Sequence, residues 1–244
     1  LRTCVESIHR RSTYDNYEIM IVDNQSREPE THEFLRSFDG RVFPYPHEFN
    51  YARMMNVAAR EVGPTDHILF LNNDTEVISP EWIEAMLEQG QRPKVAAVGA
   101  RLLFPTGNAQ HEGIVIGLGG VASNVDHGSY FDLGQTIRNC SAVTGACMLM
   151  RPETFFELGG FEERLRVAFN DVDICLRARE KGYLIVYTPH ALLYHDESST
   201  RGALHPPEDD LFFRERWGEV EDLEDPYYNP NLSRSHPFRL DLGV

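Results

Sequence analysis

The chain switches repeatedly between two hydrophobic periods. Leu1, Val5 and Ile8 recur at helical spacing and predict an amphipathic helix at the start. Residues 17–22 then read as a strand that stops at Asp23-Asn24-Gln25-Ser26. A helix over 29–38, a short strand over 41–43 and a helix over 52–61 follow, the last stopped by Gly63-Pro64. Ile68-Leu69-Phe70-Leu71 is an apolar run that ends abruptly in Asn72-Asn73-Asp74-Thr75-Glu76. It reads as a buried strand with a polar, acidic cluster where it leaves the sheet. Ser79-Pro80 has the chemistry of a cap and first turn for a helix reaching about residue 89. Residues 94–99 form another apolar strand.

This half alternates strand with helix, which predicts an α/β fold: a mainly parallel central sheet with helices on both faces. The character changes after residue 100. Residues 106–134 are rich in glycine and polar groups and predict irregular hairpins and a loop. Residues 142–150 read as a core strand interrupted by Gly145, and 152–158 as a short helix closed by Gly159-Gly160. A helix over 171–181 ends at Gly182, and strands are expected over 184–187 and 191–194. The tail from Pro206 is acidic and rich in proline and aromatic residues. The expected organisation is a single domain over 1–205, with a nucleotide-binding half (1–100) and an acceptor-binding half (101–205). Residues 206–244 are expected to pack on it as a tail.

A net charge of -15 argues against a nucleic-acid binder held by a broad basic surface. It leaves room for a phosphate-bearing ligand, because a bound divalent cation reverses the local sign. Cys4, Cys140, Cys147 and Cys175 lack the spacing of a zinc knuckle or redox motif. The three later cysteines lie in apolar contexts, which suits buried thiols in a reducing, cytoplasmic compartment. No stretch approaches the roughly 20 apolar residues of a membrane span. The chain opens on Leu1, already in helical pattern, so a fragment of a longer protein is expected.

Taken together, Val22-Asp23-Asn24-Gln25-Ser26, Leu71-Asn72-Asn73-Asp74, Gly159-Gly160-Phe161, Phe169-Asn170-Asp171-Val172-Asp173 and Tyr194-His195-Asp196-Glu197-Ser198 resemble the family-two glycosyltransferases of the GT-A fold. The tail Asp225-Pro226-Tyr227-Tyr228-Asn229-Pro230-Asn231 is similar to bacterial members that build O-antigen and other surface polysaccharides, often rhamnosyltransferases. The resemblance implies inverting transfer of a sugar from a nucleotide-sugar, UDP- or dTDP-linked, to a glycan or lipid-linked glycan acceptor, at a cytoplasmic site or the inner membrane face.

Asn72-Asn73-Asp74 matches the family's acid-x-acid motif, with Asn72 in place of the first acid. The resemblance makes Asp74 and His195 ligands of Mn²⁺ or Mg²⁺, and imidazole suits Mn²⁺ better. Asp171 matches the general base, which an acceptor hydroxyl needs because it is a poor nucleophile unaided. The plainer reading of Asp171 and Asp173 is acids at a helix start, favoured by the dipole. By the same resemblance Asp23, Asn24, Asn56, Asn72 and Asn73 contact the nucleotide-sugar, and Gly145, Asp173 and Trp217 the acceptor. Four of these have a simpler alternative: turn formers at Asp23 and Asn24, packing at Gly145, an anchor for the tail at Trp217. His111 falls near the donor sugar by family position. Arg214-Glu215-Arg216-Trp217 resembles the end of the processive members' arginine-tryptophan motif but lacks its leading glutamine, so processivity is not inferred.

The family also begins with an apolar strand that this chain lacks, so the sheet is expected to miss a strand, with impaired stability or dimeric or swapped packing. The competing function is a catalytically weak or inactive nucleotide- or glycan-binding module of the same fold. A two-metal phosphate-transfer enzyme would need more carboxylates and a basic triphosphate grip, which the sequence does not offer.

Overall fold

The computed structural model describes residues 1–118, 121–124, 133–196, 206–218 and 224–234. The first half runs α1 (Arg2–Arg11), β1 (Met20–Asp23), α2 (Pro29–Ser37), β2 (Arg41–Pro44), α3 (Tyr51–Glu61), β3 (Ile68–Leu71), β4 (Thr75–Val77), α4 (Trp82–Gly90) and β5 (Val95–Leu103). The second half continues with β6 (Ala109–His111), β7 (Ile114–Ile116), β8 (Ala122–Asn124), β9 (Arg138–Cys140), β10 (Cys147–Met150), α5 (Pro152–Glu157), α6 (Asn170–Glu180), β11 (Leu184–His195) and α7 (Pro207–Trp217).

Among the described residues the main sheet has seven strands in the order β3-β10-β5-β11-β4, with β6 beside β5 and β9 beside β11. The α/β architecture with helices on both faces stands, but the expectation of a mainly parallel sheet does not. Only β5 and β11 pair in parallel here, and the other five pairings are antiparallel. β3, β5 and β11 do share one direction. The local pattern along each of them could not reveal that β10, from the second half of the chain, inserts antiparallel between β3 and β5.

The side-chain period of two sorts the core onto the two faces. Met148 and Met150 of β10 join Phe70, Ala97, Ile185 and Tyr187 against α3, α5, α6 and Phe213 of α7. Cys147 and Leu149 point the other way, with Val98, Val186 and Leu193, against Cys4 and Ile8 of α1 and Trp82, Ile83 and Met86 of α4. All four cysteines are free and buried. Burial pushes the Cys140 thiol up to about 12, which makes it inert as a nucleophile at neutral pH.

β1 and β2 form a separate parallel pair. Helix α1 spans this pair and the main sheet: Val5 packs with Ile21 and Phe34, while Cys4 and Ile8 pack on the larger sheet. One edge of β1 and one edge of β3 therefore carry no ladder among the described residues.

Several expected elements change for identifiable reasons. The strand expected over 142–150 is a ladder only from Cys147, because the backbone before it serves other partners. Gly145 N–H donates to Asp171, and the Ala146 carbonyl accepts from Asn72 N–H. The strands expected over 184–187 and 191–194 are one strand, with a register shift between Thr188 and Leu192 where Pro189 has no N–H to offer. Ser79 does not cap α4. Its hydroxyl bridges the backbone of β11, donating to the His190 carbonyl and accepting from Leu192 N–H. Asn50 does cap α3, accepting from Arg53 N–H at 2.9 Å.

Candidate functional site

The sheet rim gathers residues that are remote in sequence. Asp74 follows β3 in a tight turn, and His195 is the last residue of β11. Antiparallel pairing of His195 with Thr75 puts His195 beside Asp74. The Asp74 carboxylate Oδ1 lies 3.3 Å from His195 Nε2. Asn72 Nδ2 lies 3.3 Å from the same nitrogen. The turn is braced below: the Asn72 carbonyl accepts from the Thr75 hydroxyl at 2.9 Å, and Asp196 N–H donates to the Asp74 carbonyl at 3.0 Å.

The other face of His195 is held by Gln110. The Gln110 Nε2 donates to the His195 backbone carbonyl at 3.4 Å, while its Oε1 stands 2.7 Å from His195 Nδ1. The carbonyl oxygen accepts, so the amide nitrogen must be the group facing it. Gln110 Oε1 is then an acceptor and Nδ1 carries the ring proton. The lone pair is left on Nε2, aimed at Asp74 and Asn72. In the neutral ring that lone pair is met by Asn72 Nδ2 at 3.3 Å, with the Asp74 carboxylate beside it. This donor set suits a divalent cation, and the Nδ1–H···O=C brace is the support that metal-binding histidines have. No group of three or more His, Cys, Asp or Glu suited to a metal occurs among the described residues. Any cation held by Asp74 and His195 therefore completes its shell from elsewhere.

Asp171 opens the first turn of α6, behind Phe169 in the left-handed region (φ 61). A bulky residue seldom takes that conformation. Here the Phe169 ring packs against Phe213, centroids 5.0 Å apart. The loop before it is fastened by Asp209, fully buried in the first turn of α7, whose carboxylate accepts from Arg166, Val167 and Ala168 N–H at 3.1, 2.8 and 2.8 Å. Asp171 itself is half-buried. Its carboxylate accepts from Gly145 N–H and Val172 N–H, each at 2.8 Å. Burial holds the Asp171 carboxyl above the ordinary aspartate range, against the pull of those two N–H groups. That direction makes it a better proton acceptor than a helix-start aspartate would otherwise be.

One path of side-chain contacts, hydrogen bonds and two peptide links joins the two clusters. Asp74 meets His195, which meets Gln110. The next residue, His111, is buried and accepts from Thr144 N–H at 3.4 Å. Gly145 follows and donates to Asp171. Asn72 N–H also donates to the Ala146 carbonyl, and the Tyr51 hydroxyl donates to the Gly145 carbonyl at 3.2 Å. The segment 144–146 is thus the node between the predicted cation ligands and the predicted base. Gly145, with no side chain, lets its backbone come close to that base. A Cβ there would come within 3.4 Å of the Asp171 Cβ.

Other candidates have structural partners. Asn56 is buried, and its amide clamps Phe161: Nδ2 donates to the Phe161 carbonyl and Oδ1 accepts from Phe161 N–H, both at 2.8 Å. This explains Gly159-Gly160-Phe161, since Gly160 takes φ 73 and a Cβ there would sit 2.5 Å from Asn56 Oδ1. Asp173 is fully buried. Its Oδ2 accepts from Arg177 at 2.7–2.8 Å, and its Oδ1 accepts from Trp217 Nε1 at 3.1 Å and faces Arg216 at 3.3 Å. Asp173 and Trp217 therefore tie α6 to α7, and both oxygens of the carboxylate are occupied inside the protein. Arg53, on the same helix as Asn56, pairs with Glu163 at 2.8 Å.

Asp23 and Asn24 sit at the carboxyl end of β1. Asp23 Oδ1 accepts from Ser26 N–H, and Asn24 Nδ2 donates to the Tyr45 and His47 carbonyls. Asn73 is exposed in the turn beside Asp74. The tail's Asp225 reaches β7, accepting from Ile116 N–H at 2.8 Å, and Tyr228 packs on Val115 and Leu118. Glu197 and Ser198 of the last motif lie outside the described residues.

The model of the family described as Glycosyl transferase family 2 matches residues 1–155. An uncharacterized protein of Sinorhizobium fredii, y4gI, is 42% identical across 96% of this chain and 28% of its own length. The O-antigen biosynthesis protein RfbC of Myxococcus xanthus is 38% identical across 96% of the chain and 19% of its own. The N-acetylglucosaminyl-diphospho-decaprenol L-rhamnosyltransferase of Mycobacterium tuberculosis is 22% identical across 75% of the chain and 68% of its own length. The chain thus spans less than a third of the first two relatives. Among solved structures, GalNAc-T7 with UDP, GalNAc and Mn²⁺ superimposes with a TM-score of 0.70 at 14% identity, covering 90% of this chain and 46% of that one. At that identity the likeness speaks for the fold alone, which is GT-A. With its family model matched over residues 1–155, the chain belongs to glycosyl transferase family 2.

Proposed function

We propose that this domain is an inverting glycosyltransferase that moves a sugar from a nucleotide-diphospho-sugar to an acceptor hydroxyl during surface polysaccharide synthesis. The observation that carries the reading is the continuous path from Asp74 and His195 to Asp171 through Gln110, His111, Thr144 and Gly145. Cation ligands and base on one connected rim are what such a transfer needs.

Asp74 and His195 would hold Mn²⁺ or Mg²⁺, which when bound neutralises charge on the departing diphosphate. Asp171 takes the proton of the acceptor hydroxyl, and its half-buried carboxyl is raised in the sense that favours this work. Gly145, with no side chain, brings its backbone N–H onto that carboxylate. Asn72, Asn73, Asp23 and Asn24, at the carboxyl ends of β3 and β1, are the side chains offered to the nucleotide and sugar, as expected of open α/β sheets. We take the donor as UDP- or dTDP-linked rhamnose or hexose and the acceptor as a glycan or lipid-linked glycan; the names of relatives that speak of O-antigen synthesis and of rhamnosyl transfer to a decaprenol-linked sugar support the sugar and acceptor classes. We assign residues 1–100 to the nucleotide, 101–205 to the acceptor and the tail to packing on the domain, acting on the cytoplasmic side at a membrane face. No helix among the described residues is long and apolar enough to cross a membrane. The ladder-free edges of β1 and β3 are where a dimer or a swapped strand would pair, which sedimentation analysis would detect.

A screen of nucleotide-sugars for Mn²⁺-dependent binding, with donor hydrolysis as second readout, tests the assignment. Binding and hydrolysis by the parent, with Asp171→Asn retaining only binding, are expected. Transfer by Asp171→Asn at the parent rate would refute the assigned base. The competing reading, a binding module without turnover, draws on Asn72, whose neutral amide stands where a second acid would strengthen the cation site. It predicts metal-dependent binding with no hydrolysis in the parent.

A further inference from the structure

We infer that Gln110 is a positioning residue that sets the affinity of the rim for a cation and its preference for Mn²⁺ over Mg²⁺, by fixing which nitrogen of His195 is free. The inference rests on reading Asp74 and His195 as cation ligands. Gln110 acts through His195, on the side of the ring opposite Asp74.

Three observations carry it. First, Gln110 clasps His195 twice, once at Nδ1 and once at the backbone carbonyl. Either contact alone would leave the amide free to turn over. Together they fix it, since only the amide nitrogen can face a carbonyl oxygen. In a neutral ring the proton is thereby held on Nδ1 and the lone pair on Nε2, where Asn72 Nδ2 approaches at 3.3 Å. Second, the backbone is shaped to deliver this side chain. In the pairing of β6 with β5, Ala109 opposes Leu103 and His111 opposes Leu102, so Gln110 is the extra residue of a bulge. Bulges re-aim a side chain out of the regular alternation. Here it reaches past β5, which β6 and β11 flank on opposite sides, to the last residue of β11. Third, Gln110 is 3% exposed and His195 6%. Water cannot easily replace the amide, and an unbraced imidazole there could present either nitrogen.

The preference follows from ligand chemistry. Imidazole is a good ligand for Mn²⁺ and contributes little to Mg²⁺, which takes oxygen ligands and keeps its waters. A residue that governs the imidazole must therefore affect the two ions unequally. A residue that only supports the fold would weaken both alike.

The test is direct titration of Mn²⁺ and Mg²⁺ in the presence of UDP or dTDP, by the electron paramagnetic resonance of free Mn²⁺ and by calorimetry. The proteins are the parent, His195→Ala, Gln110→Met and Gln110→Glu. Methionine keeps the volume but removes both hydrogen bonds. Glutamate keeps an acceptor for Nδ1–H. Gln110→Met should weaken Mn²⁺ binding by about 10- to 100-fold, the usual effect of losing such a brace, and Mg²⁺ binding far less. Gln110→Glu should keep the Mn²⁺ preference. Equal losses for both ions in Gln110→Met, or loss of the Mn²⁺ preference in Gln110→Glu, would overturn the inference. If Gln110→Met does not fold, the Gln110→Glu result decides alone. A parent that binds neither ion, or His195→Ala that binds Mn²⁺ as the parent does, overturns the cation site and this inference with it. Normal binding by the parent and loss in His195→Ala, without the Gln110 effects, overturns only the role of Gln110.

Discussion

Asp171 and Asp173 stand one residue apart in the first turn of α6, yet their surroundings have little in common. Residues two apart on a helix do not share a face. Asp171 is half-buried and looks toward Gly145, with two backbone N–H groups on its carboxylate. Asp173 is fully buried, with Arg177, Arg216 and Trp217 on its two oxygens. The first carboxylate retains capacity to accept a proton. The second holds two helices together and offers no free oxygen to a substrate. A motif that spells Asn-Asp-Val-Asp therefore contains one candidate for chemistry and one structural tie, distinguished only by what packs against each.

The sharpest way to break this contrast is Asp171→Asn. Transfer should fall by about 10²- to 10⁴-fold, the usual contribution of a general base, while nucleotide binding persists. Stability at neutral pH then carries two opposed effects: the amide turns its NH₂ toward one of the two N–H groups that now meet carboxylate oxygens, and it removes a buried ionisation. Burial raises the native carboxyl above its unfolded value, so the folded state binds that proton more tightly. The stability it contributes is present in acid and is lost as pH rises through the native value. Asparagine, which cannot ionise, avoids that loss. For the same reason the acid limb of the parent's pH–rate profile should lie above about 3.9, the ordinary aspartate value.

Asp173→Ala should do the reverse. It removes the carboxylate partner of Arg177, Arg216 and Trp217, leaving Arg177 with the Leu158 and Gly160 carbonyls and Arg216 with Glu162, and removing one partner of a buried ion pair costs about 3–5 kcal/mol. Chemical denaturation would read this directly. Loss of transfer without loss of stability would mean that Asp173 belongs with Asp171 after all. Asp74→Ala should weaken Mn²⁺-dependent donor binding by at least about 10-fold, on the scale of lost metal-site contacts, and leave the melting temperature near the parent's. Calorimetry with and without Mn²⁺ checks it.

Two glycines give a finer comparison. Gly160→Ala puts a Cβ at φ 73 and 2.5 Å from Asn56 Oδ1, so it should destabilise by more than about 1 kcal/mol. Gly145→Ala meets only ordinary contacts, the nearest at 3.4 Å. It should fold like the parent and lose turnover modestly, by crowding the space beside Asp171. Equal effects on stability from both would erase the distinction between the two regions.

Much of the scaffold is visible in the chain itself. The elements of the first half fall close to where the hydrophobic period puts them, and the order of the motifs carries the family. What escaped has physical reasons. β4 and β9 are three residues long, too short for a period to register. Asn56 and Trp217 were candidates for ligand contact because their residue types suit it, and their protein partners lie 105 and 44 positions away. Gln110 and Asp209 drew no notice, because a lone glutamine in a polar hairpin and a helix-start aspartate are common. Their partners, His195 and the 166–168 backbone, lie far along the chain.

Side-chain period, cap chemistry and glycine placement are local, so the chain alone determined where most helices and strands lie and which residue types reach the rim. Whether a carboxylate is a tie, a cation ligand or a base depends on desolvation and on the charges and donors around it. Those are set by contacts between distant segments, and only the folded arrangement decided them.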